Sequence, residues 1–164
     1  MLEQSLAAVK NLSFLRFRDS EWNISAVVDA LQSSVTLPKP ELFMYRSTSG
    51  ARELFAALGV NTSVKNLRIG FRGANATCGE VTASALRKNA SLLELDLRAV
   101  VDNEFMICIA ESHSQNAMLD TLVSMGAMVY ARCVLAQCVA LRTNKTLKPL
   151  LFPTFKASIP DTTS

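Results

Sequence analysis

One short apolar pattern recurs along the chain, and its spacing constrains the fold more than any other feature. The pattern is Leu-x-x-Leu-x-Leu or a close variant, and it begins at residues 12, 37, 64, 92, 119 and 147. Successive starts are separated by 25, 27, 28, 27 and 28 residues. Alternating apolar residues over so short a run are typical of a half-buried strand, and a nearly fixed period indicates a stack of similar units.

A second pattern lies upstream of the strands and predicts a helix in each unit. An asparagine stands three residues before four of the strand patterns, and leucines and alanines precede it at helical spacing. The asparagines are Asn61, Asn89, Asn116 and Asn144. Because asparagine tolerates the left-handed conformation that ends many helices, we interpret these residues as caps between a helix and the next strand.

The clearest copy of the joined pattern is residues 85–97, Ala-Leu-Arg-Lys-Asn-Ala-Ser-Leu-Leu-Glu-Leu-Asp-Leu. In this stretch the chain resembles the ribonuclease-inhibitor-like class of leucine-rich repeats, and the resemblance covers residues 1–152. It implies an α/β solenoid, a curved right-handed βα horseshoe segment of about five repeats, with parallel strands on the concave side and helices on the convex side. Residues 153–164 are predicted to form a polar C-terminal tail.

Several residues depart from the repeat and predict local irregularity. Pro38 and Pro40 fall in the second strand, where proline removes a hydrogen-bond donor of the ladder. Ser124 and His113 occupy apolar positions of the fifth repeat. Residues 1–9 resemble the helix end of a preceding repeat and offer no polar cap. We therefore expect a fragment of a longer array, with further repeats of the same chain, or self-association, at an uncapped N-terminal end.

Composition and targeting signals favour a cytoplasmic protein. The net charge of +3 and the pI near 8.8 are too mild to indicate nucleic-acid binding. The N-terminus lacks the pattern of a signal peptide. Residues 121–141 are apolar with a single charge, but they fit the repeat register, so a membrane span is not expected. Six Asn-x-Ser/Thr triplets would be glycosylation acceptors only in a secreted chain, and three of them coincide with the capping asparagines.

No pattern of catalytic or ligand-binding chemistry is found, so we predict that the chain is not an enzyme and has no catalytic residue, metal site or cofactor. The only histidine, His113, stands where other repeats place a helix leucine. The four cysteines lack metal-ligand spacing and are expected as free thiols. The Gly-x-x-Gly of residues 70–73 lacks the rest of a phosphate-binding motif and is interpreted as a strand-to-helix turn.

Alternate strand residues map the concave face, which we predict as the site of a protein partner. The face mixes positive and negative side chains with a few large apolar ones, as in protein-binding hot spots. The predicted partner-binding residues are Arg16, Arg18, Glu41, Phe43, Arg68, Phe71, Asp96 and Arg98. Alternating charges on neighbouring strands would also be expected if these side chains only paired with one another across the strands, and this alternative stays open.

The resemblance leaves three functions open. The first is a protein–protein interaction module that binds a partner of unknown identity through the concave face. The second is a structural segment of a larger innate-receptor-type or scaffold protein. The third is a GTPase-activating or other regulatory leucine-rich-repeat protein.

Overall fold

The computed structural model describes residues 15–18, 28–29, 31–32, 40–44, 48–125, 131–148 and 150–151. These residues form strands that alternate with helices along the chain. The strands are β1 (Leu15–Arg18), β2 (Pro40–Met44), β3 (Asn66–Ala74), β4 (Glu94–Val101), β5 (Thr121–Met125) and β6 (Leu150–Leu151). The helices are α1 (Thr48–Val60), α2 (Ala76–Lys88), α3 (Asn103–His113) and α4 (Ala131–Thr143).

The strands form one parallel sheet in which spatial order equals chain order, β1 to β6. Each strand after the first pairs with its predecessor, so Arg68 on β3 lies opposite Asp96 on β4. Every described strand begins two or three residues after the start of its apolar pattern. Pro40 is the first residue of β2, a position where the ladder tolerates proline. The prediction of parallel strands that alternate with helices is confirmed.

The helices pack side by side in chain order on one face of the sheet. Their apolar side chains form a single core with the inward residues of the strands, including Leu67 and Ile69 of β3 and Leu95 and Leu97 of β4. Gly79 on α2 allows α3 to approach closely, because a Cβ atom there would lie 2.8 Å from the Cα atom of Phe105.

The four asparagines of the repeat pattern connect consecutive units through their side chains, and we call these hydrogen bonds the asparagine ladder. Asn89 shows the arrangement most fully: its Nδ2 donates to the carbonyl oxygens of Leu58 (2.6 Å) and Asn61 (3.0 Å) in the preceding unit. Its Oδ1 accepts from the backbone N–H groups of Ser91 (2.9 Å) and Leu92 (2.7 Å) in its own unit. Asn61, Asn116 and Asn144 make equivalent bonds.

The predicted left-handed cap is wrong at Asn89, which follows α2. Asn89 is extended, with φ −71° and ψ 124°, and its backbone N–H donates to the carbonyl of Ala85. The residue is selected because one buried amide can satisfy four backbone groups that the turn would otherwise leave without partners.

The predicted solenoid of about five leucine-rich repeats is corrected by this structure. The contiguous domain between Thr48 and Thr143 holds three parallel strands, β3 to β5, and four helices. β1, β2 and β6 lie outside this range and extend the same sheet. The chain is therefore a small α/β domain. The repeat period predicts only that parallel strand–helix units follow one another along the chain. It does not determine how many units there are or to which protein family they belong. The predicted domain boundary at residue 152 and the tail lie outside the described residues.

Two local interpretations also change. Gly70 and Gly73 lie within β3, which continues to Ala74 with a register shift between Arg72 and Ala74, so they do not form a turn. The apolar segment of residues 121–141 contains β5 and most of α4. In the part of the chain that the structure describes, no helix is long and apolar enough to cross a membrane.

Candidate protein-binding face

The sheet has one face turned away from the four helices, and we call it the open face. It carries the strand residues that alternate with the core leucines, and they are more polar than the inward set. The members with described side chains are Asn66, Arg68, Glu94, Asp96, Arg98, Thr121 and Val123. No described helix contacts this face. Arg68, Glu94, Thr121 and Val123 are partly exposed and Arg98 is exposed, whereas Asp96 is buried.

Two arginines meet one carboxylate at the centre of the open face. The Nε atom of Arg68 lies 2.5 Å from Oδ2 of Asp96, and the Nε atom of Arg98 lies 3.1 Å from the same oxygen. The Asp96 side chain is only 6% exposed, whereas those of Arg68 and Arg98 are 36% and 46% exposed. The carboxylate therefore holds two guanidinium groups whose side chains remain partly exposed, and the three side chains together carry one net positive charge.

Strand register arranges the open face in three rows. The first row contains Asn66, Glu94 and Thr121, at the amino ends of the strands. The middle row contains Arg16, Glu41, Arg68, Asp96 and Val123. The last row, which we call the carboxyl row, contains Arg18, Phe43, Gly70, Arg98 and Met125.

Seven of the eight predicted partner-binding residues lie in the middle and carboxyl rows. The structure brings Arg68, Asp96 and Arg98 into direct contact. It places Arg16, Arg18, Glu41 and Phe43 in the same two rows by register. Phe71 stands apart, because it pairs with Met44 and Ala99 at the position after Gly70. Sequence periodicity identified the rows, but it could not show that one carboxylate holds two arginines.

His113 is fully buried at the end of α3 and has no role on the open face. Neither ring nitrogen has a hydrogen-bond partner among the described residues. Burial lowers the pKa of the imidazole to about 4, so the ring is neutral near pH 7. Its backbone carbonyl accepts a hydrogen bond from Nδ2 of Asn144, just as the carbonyl of Leu86 accepts one from Nδ2 of Asn116. His113 thus occupies a leucine position of the core.

The four cysteines are free thiols. Burial raises the pKa of the Cys78 thiol, and burial together with nearby glutamates raises that of Cys108. The Sγ atom of Cys133 donates to Oδ1 of Asn103 (3.1 Å) and is also buried. In the described ranges, no group of three or more His, Cys, Asp or Glu side chains could hold a metal ion.

Sequence reasoning missed a groove on the helical side, between α3 and α4. Ile107, Glu111, Arg132, Leu135 and Val139 are among the residues that line it. Leu135 and Val139 are 66% and 57% exposed and lie one turn apart on α4. Apolar residues on the outer face of α4 depart from the amphipathic pattern of a surface helix, and this departure is the sequence signal that could have located the groove. Nothing in the described residues specifies an occupant for it.

No protein-family model matches the chain, and no characterised protein matches it in sequence. Among solved structures it is similar to one titled "Leiomodin-1 Actin-Binding Site 2 (ABS2)", with a TM-score of 0.64 and 14% sequence identity over 78% of each chain. At this identity the similarity concerns the fold alone. The assignment to the ribonuclease-inhibitor-like class of leucine-rich repeats is corrected accordingly: the similar structure is titled as an actin-binding site. Further repeats or self-association at an N-terminal end are not supported, and residues 1–14 lie outside the described residues.

Proposed function

We propose that this chain is a protein-interaction module that binds a protein partner through its open face and has no catalytic activity. The observation that carries the proposal is the pair of arginines held by Asp96 at the centre of that face. Arginine is enriched in the residues that dominate binding energy at protein interfaces. A guanidinium that is already fixed by a carboxylate loses less conformational freedom when a partner binds it.

Actin is the first partner to test, because the similar structure is titled as an actin-binding site. We place the interaction in the cytoplasm, a proposal that the four free thiols support, since disulfides are rare in reducing compartments. A purely structural role of the chain would leave the open face without a separate partner, and the experiment below separates that role from ours. A GTPase-activating role would instead require that the captured protein is a GTPase whose GTP hydrolysis the chain accelerates.

The experiment blocks the open face by bulk, independently of charge. Val123 lies in the middle row opposite Asp96, and Val123→Trp would place a large ring over the centre of the face. Val139→Trp is the matched control, because Val139 is exposed on α4 in the helical layer. Immobilised wild-type chain and both variants are incubated first with purified monomeric and filamentous actin and then with cell extract, and bound protein is quantified.

We expect Val123→Trp to reduce partner capture at least tenfold and Val139→Trp to leave it within twofold of wild type. Circular dichroism and urea unfolding confirm that both variants are folded. If actin does not bind, actin is rejected as the partner and the proteins captured from extract take its place. The proposal is refuted if Val123→Trp leaves every captured protein unchanged, or if Val139→Trp removes the same proteins.

A further inference from the structure

Each helix has one flank that points toward the next helix along the chain, and three positions define it. They stand ten, six and three residues before the capping asparagine of the unit. On α1, α2 and α3 every residue at these positions is buried, so the flank is part of the interface between units. These residues are Ala51, Phe55 and Leu58 on α1, Gly79, Ala83 and Leu86 on α2, and Met106, Ala110 and His113 on α3.

Contacts between the helices show what covers this flank. A Cβ atom at Gly79 on α2 would lie 2.8 Å from the Cα atom of Phe105 on α3. The carbonyl oxygen of Met106 on α3 accepts a hydrogen bond from Nε2 of Gln137 on α4, at 3.5 Å. In these units the helix that follows packs directly on the flank and removes it from water.

The same flank of α4 contains Val134, Cys138 and Leu141, and we call it the outer flank. Val134 is partly exposed, Cys138 is exposed, and Leu141 is 36% exposed, whereas the leucines at its position on α1 and α2 are fully buried. The helix that packs against α4 is α3, and it lies on the other side of α4, beside Ala136. Within the described ranges, the outer flank is thus an apolar helix surface that no helix covers.

Basic side chains stand beside the outer flank. Arg142 and Lys145 are exposed at the carboxyl end of α4, and residues 131–148 contain no acidic residue. The other two basic residues of this stretch pair with acidic residues of preceding units. In the part of the chain that the structure describes, Arg142 and Lys145 have no ion pair, so they are the cations that a docked group would meet.

We infer that the outer flank binds an amphipathic, acidic helix of a protein partner. Val134, Cys138 and Leu141 are spaced i, i+4 and i+7, the spacing at which a helix presents one face to another helix. The partner helix offers apolar residues at the same spacing and carboxylates beside them, which reach Arg142 and Lys145. A second copy of this chain that docked through its own α4 would bring further basic residues and no carboxylate. The inference is independent of the proposed function, because the outer flank belongs to the helical layer and the open face to the sheet.

The test uses the full chain and three helical peptides of equal length. The first peptide has leucines at i, i+4, i+7 and i+11 with glutamates beside them, and the second has lysines in place of the glutamates. The third has the composition of the first in an order that breaks the apolar stripe. Fluorescence anisotropy measures binding. The rate at which iodoacetamide modifies the exposed Cys138 reports whether the outer flank itself is occupied, and Cys108 on α3 is the internal reference.

Two pairs of variants separate the outer flank from the rest of the helical layer. Cys138→Glu places a carboxylate on the outer flank, and Val139→Glu, its matched control, places the same charge on the next residue, which lines the groove toward α3. Arg142→Glu reverses a charge beside the outer flank. Its control is Arg87→Glu, because Arg87 is exposed at the same position of α2, where α3 covers the flank. Circular dichroism and urea unfolding confirm that each variant is folded.

We expect the first peptide to bind at least tenfold more tightly than the other two. At saturation it should slow the modification of Cys138 at least fivefold and that of Cys108 less than twofold. Cys138→Glu and Arg142→Glu should each weaken its binding at least fivefold, and Val139→Glu and Arg87→Glu less than twofold.

No binding of the first peptide, equal affinity for the lysine peptide, or an equal loss in the control variants would overturn the inference. An unchanged rate of Cys138 modification in the bound chain would overturn it as well, because the peptide would then lie elsewhere. Analytical ultracentrifugation tests the competing occupant. A wild-type dimer that Cys138→Glu converts to a monomer would show that a second copy covers the outer flank, and the partner helix would be rejected.

Discussion

His113 is a polar residue in a position built for leucine, and replacing it should stabilise the domain. The imidazole is fully buried, and its two nitrogens lack hydrogen-bond partners in the described part of the chain. The equivalent residues of the preceding units, Leu58 and Leu86, are also fully buried, and their carbonyls accept the same asparagine bond. His113→Leu therefore keeps the hydrogen bond from Asn144 to the backbone carbonyl and removes only the ring, whose nitrogens lack partners.

The size of the effect follows from the burial of the ring. A buried polar group without a partner costs about 1–3 kcal/mol, so His113→Leu should raise the free energy of unfolding by that amount near pH 7. In a domain of this size the melting temperature should rise by roughly 3–10 °C. Because the pKa of His113 falls to about 4 on folding, the unfolded state binds the proton more readily. The wild type therefore loses about 3 kcal/mol between pH 7 and pH 4 through this group, starting below the unfolded pKa of about 6.5.

Urea unfolding at pH 7, 6, 5 and 4 measures both effects in wild type and His113→Leu. Carboxylates titrate in the same range, so the informative quantity is the difference between the two proteins, which should widen by about 3 kcal/mol from pH 7 to pH 4. His113→Gln is the control: it keeps a buried polar group without a titrating ring, so it should lack both the stabilisation at pH 7 and the acid-dependent loss. An unchanged difference across the pH range, or a destabilised His113→Leu, would refute this account of the site.

Two further substitutions test the packing between units. Asn89→Ala should lower the free energy of unfolding by about 3 kcal/mol or more, because it leaves several buried backbone groups without hydrogen bonds. Asn75→Ala removes one exposed helix cap and should lower it by only about 1 kcal/mol. Equal losses for the two variants in urea unfolding would contradict the proposed role of the asparagine ladder. Gly79→Ala should destabilise by about 1–3 kcal/mol despite its better helix propensity, because the new Cβ would lie 2.8 Å from the Cα atom of Phe105. Gly59→Ala, with a nearest contact of 3.1 Å, should cost less in the same thermal melts, and the reverse order would show that α2 and α3 can separate freely.

The sequence predicted the strands because their signal is local and repeated. Leu67 and Ile69 on β3, and Leu95 and Leu97 on β4, alternate with polar residues in the way that a sheet with one buried face requires. The same alternation predicts that Arg68, Asp96 and Arg98 share one face. The leucines and these polar residues lie on opposite faces of the sheet because successive side chains of a strand alternate. A register shift of one residue would expose every leucine.

What the sequence could not predict depends on contacts between units. Asparagine at a fixed position is compatible with a left-handed cap or with a side-chain ladder, and only the bonds from Asn89 to Leu58 and Asn61 decide between them. The number of complete units is likewise not encoded in a local pattern, because the apolar pattern of a short strand such as β6 resembles that of a strand in a complete strand–helix unit. The exposure of Leu135 and Val139 depends on how α3 and α4 pack together, which no local pattern encodes.

The asparagine ladder leads us to expect that exposed positions of the open face can be altered without loss of the fold. Consecutive units are joined by buried amide bonds and by the core on the helical side. Val123 is outside that core and partly exposed, so we expect its replacement to leave the fold intact. Asp96 is the exception on that face, because it is nearly buried and its removal would leave Arg68 and Arg98 without their shared carboxylate. A change at Asp96 would therefore alter stability and binding together, whereas Val123→Trp leaves the three charged side chains in place and so separates recognition from folding more cleanly.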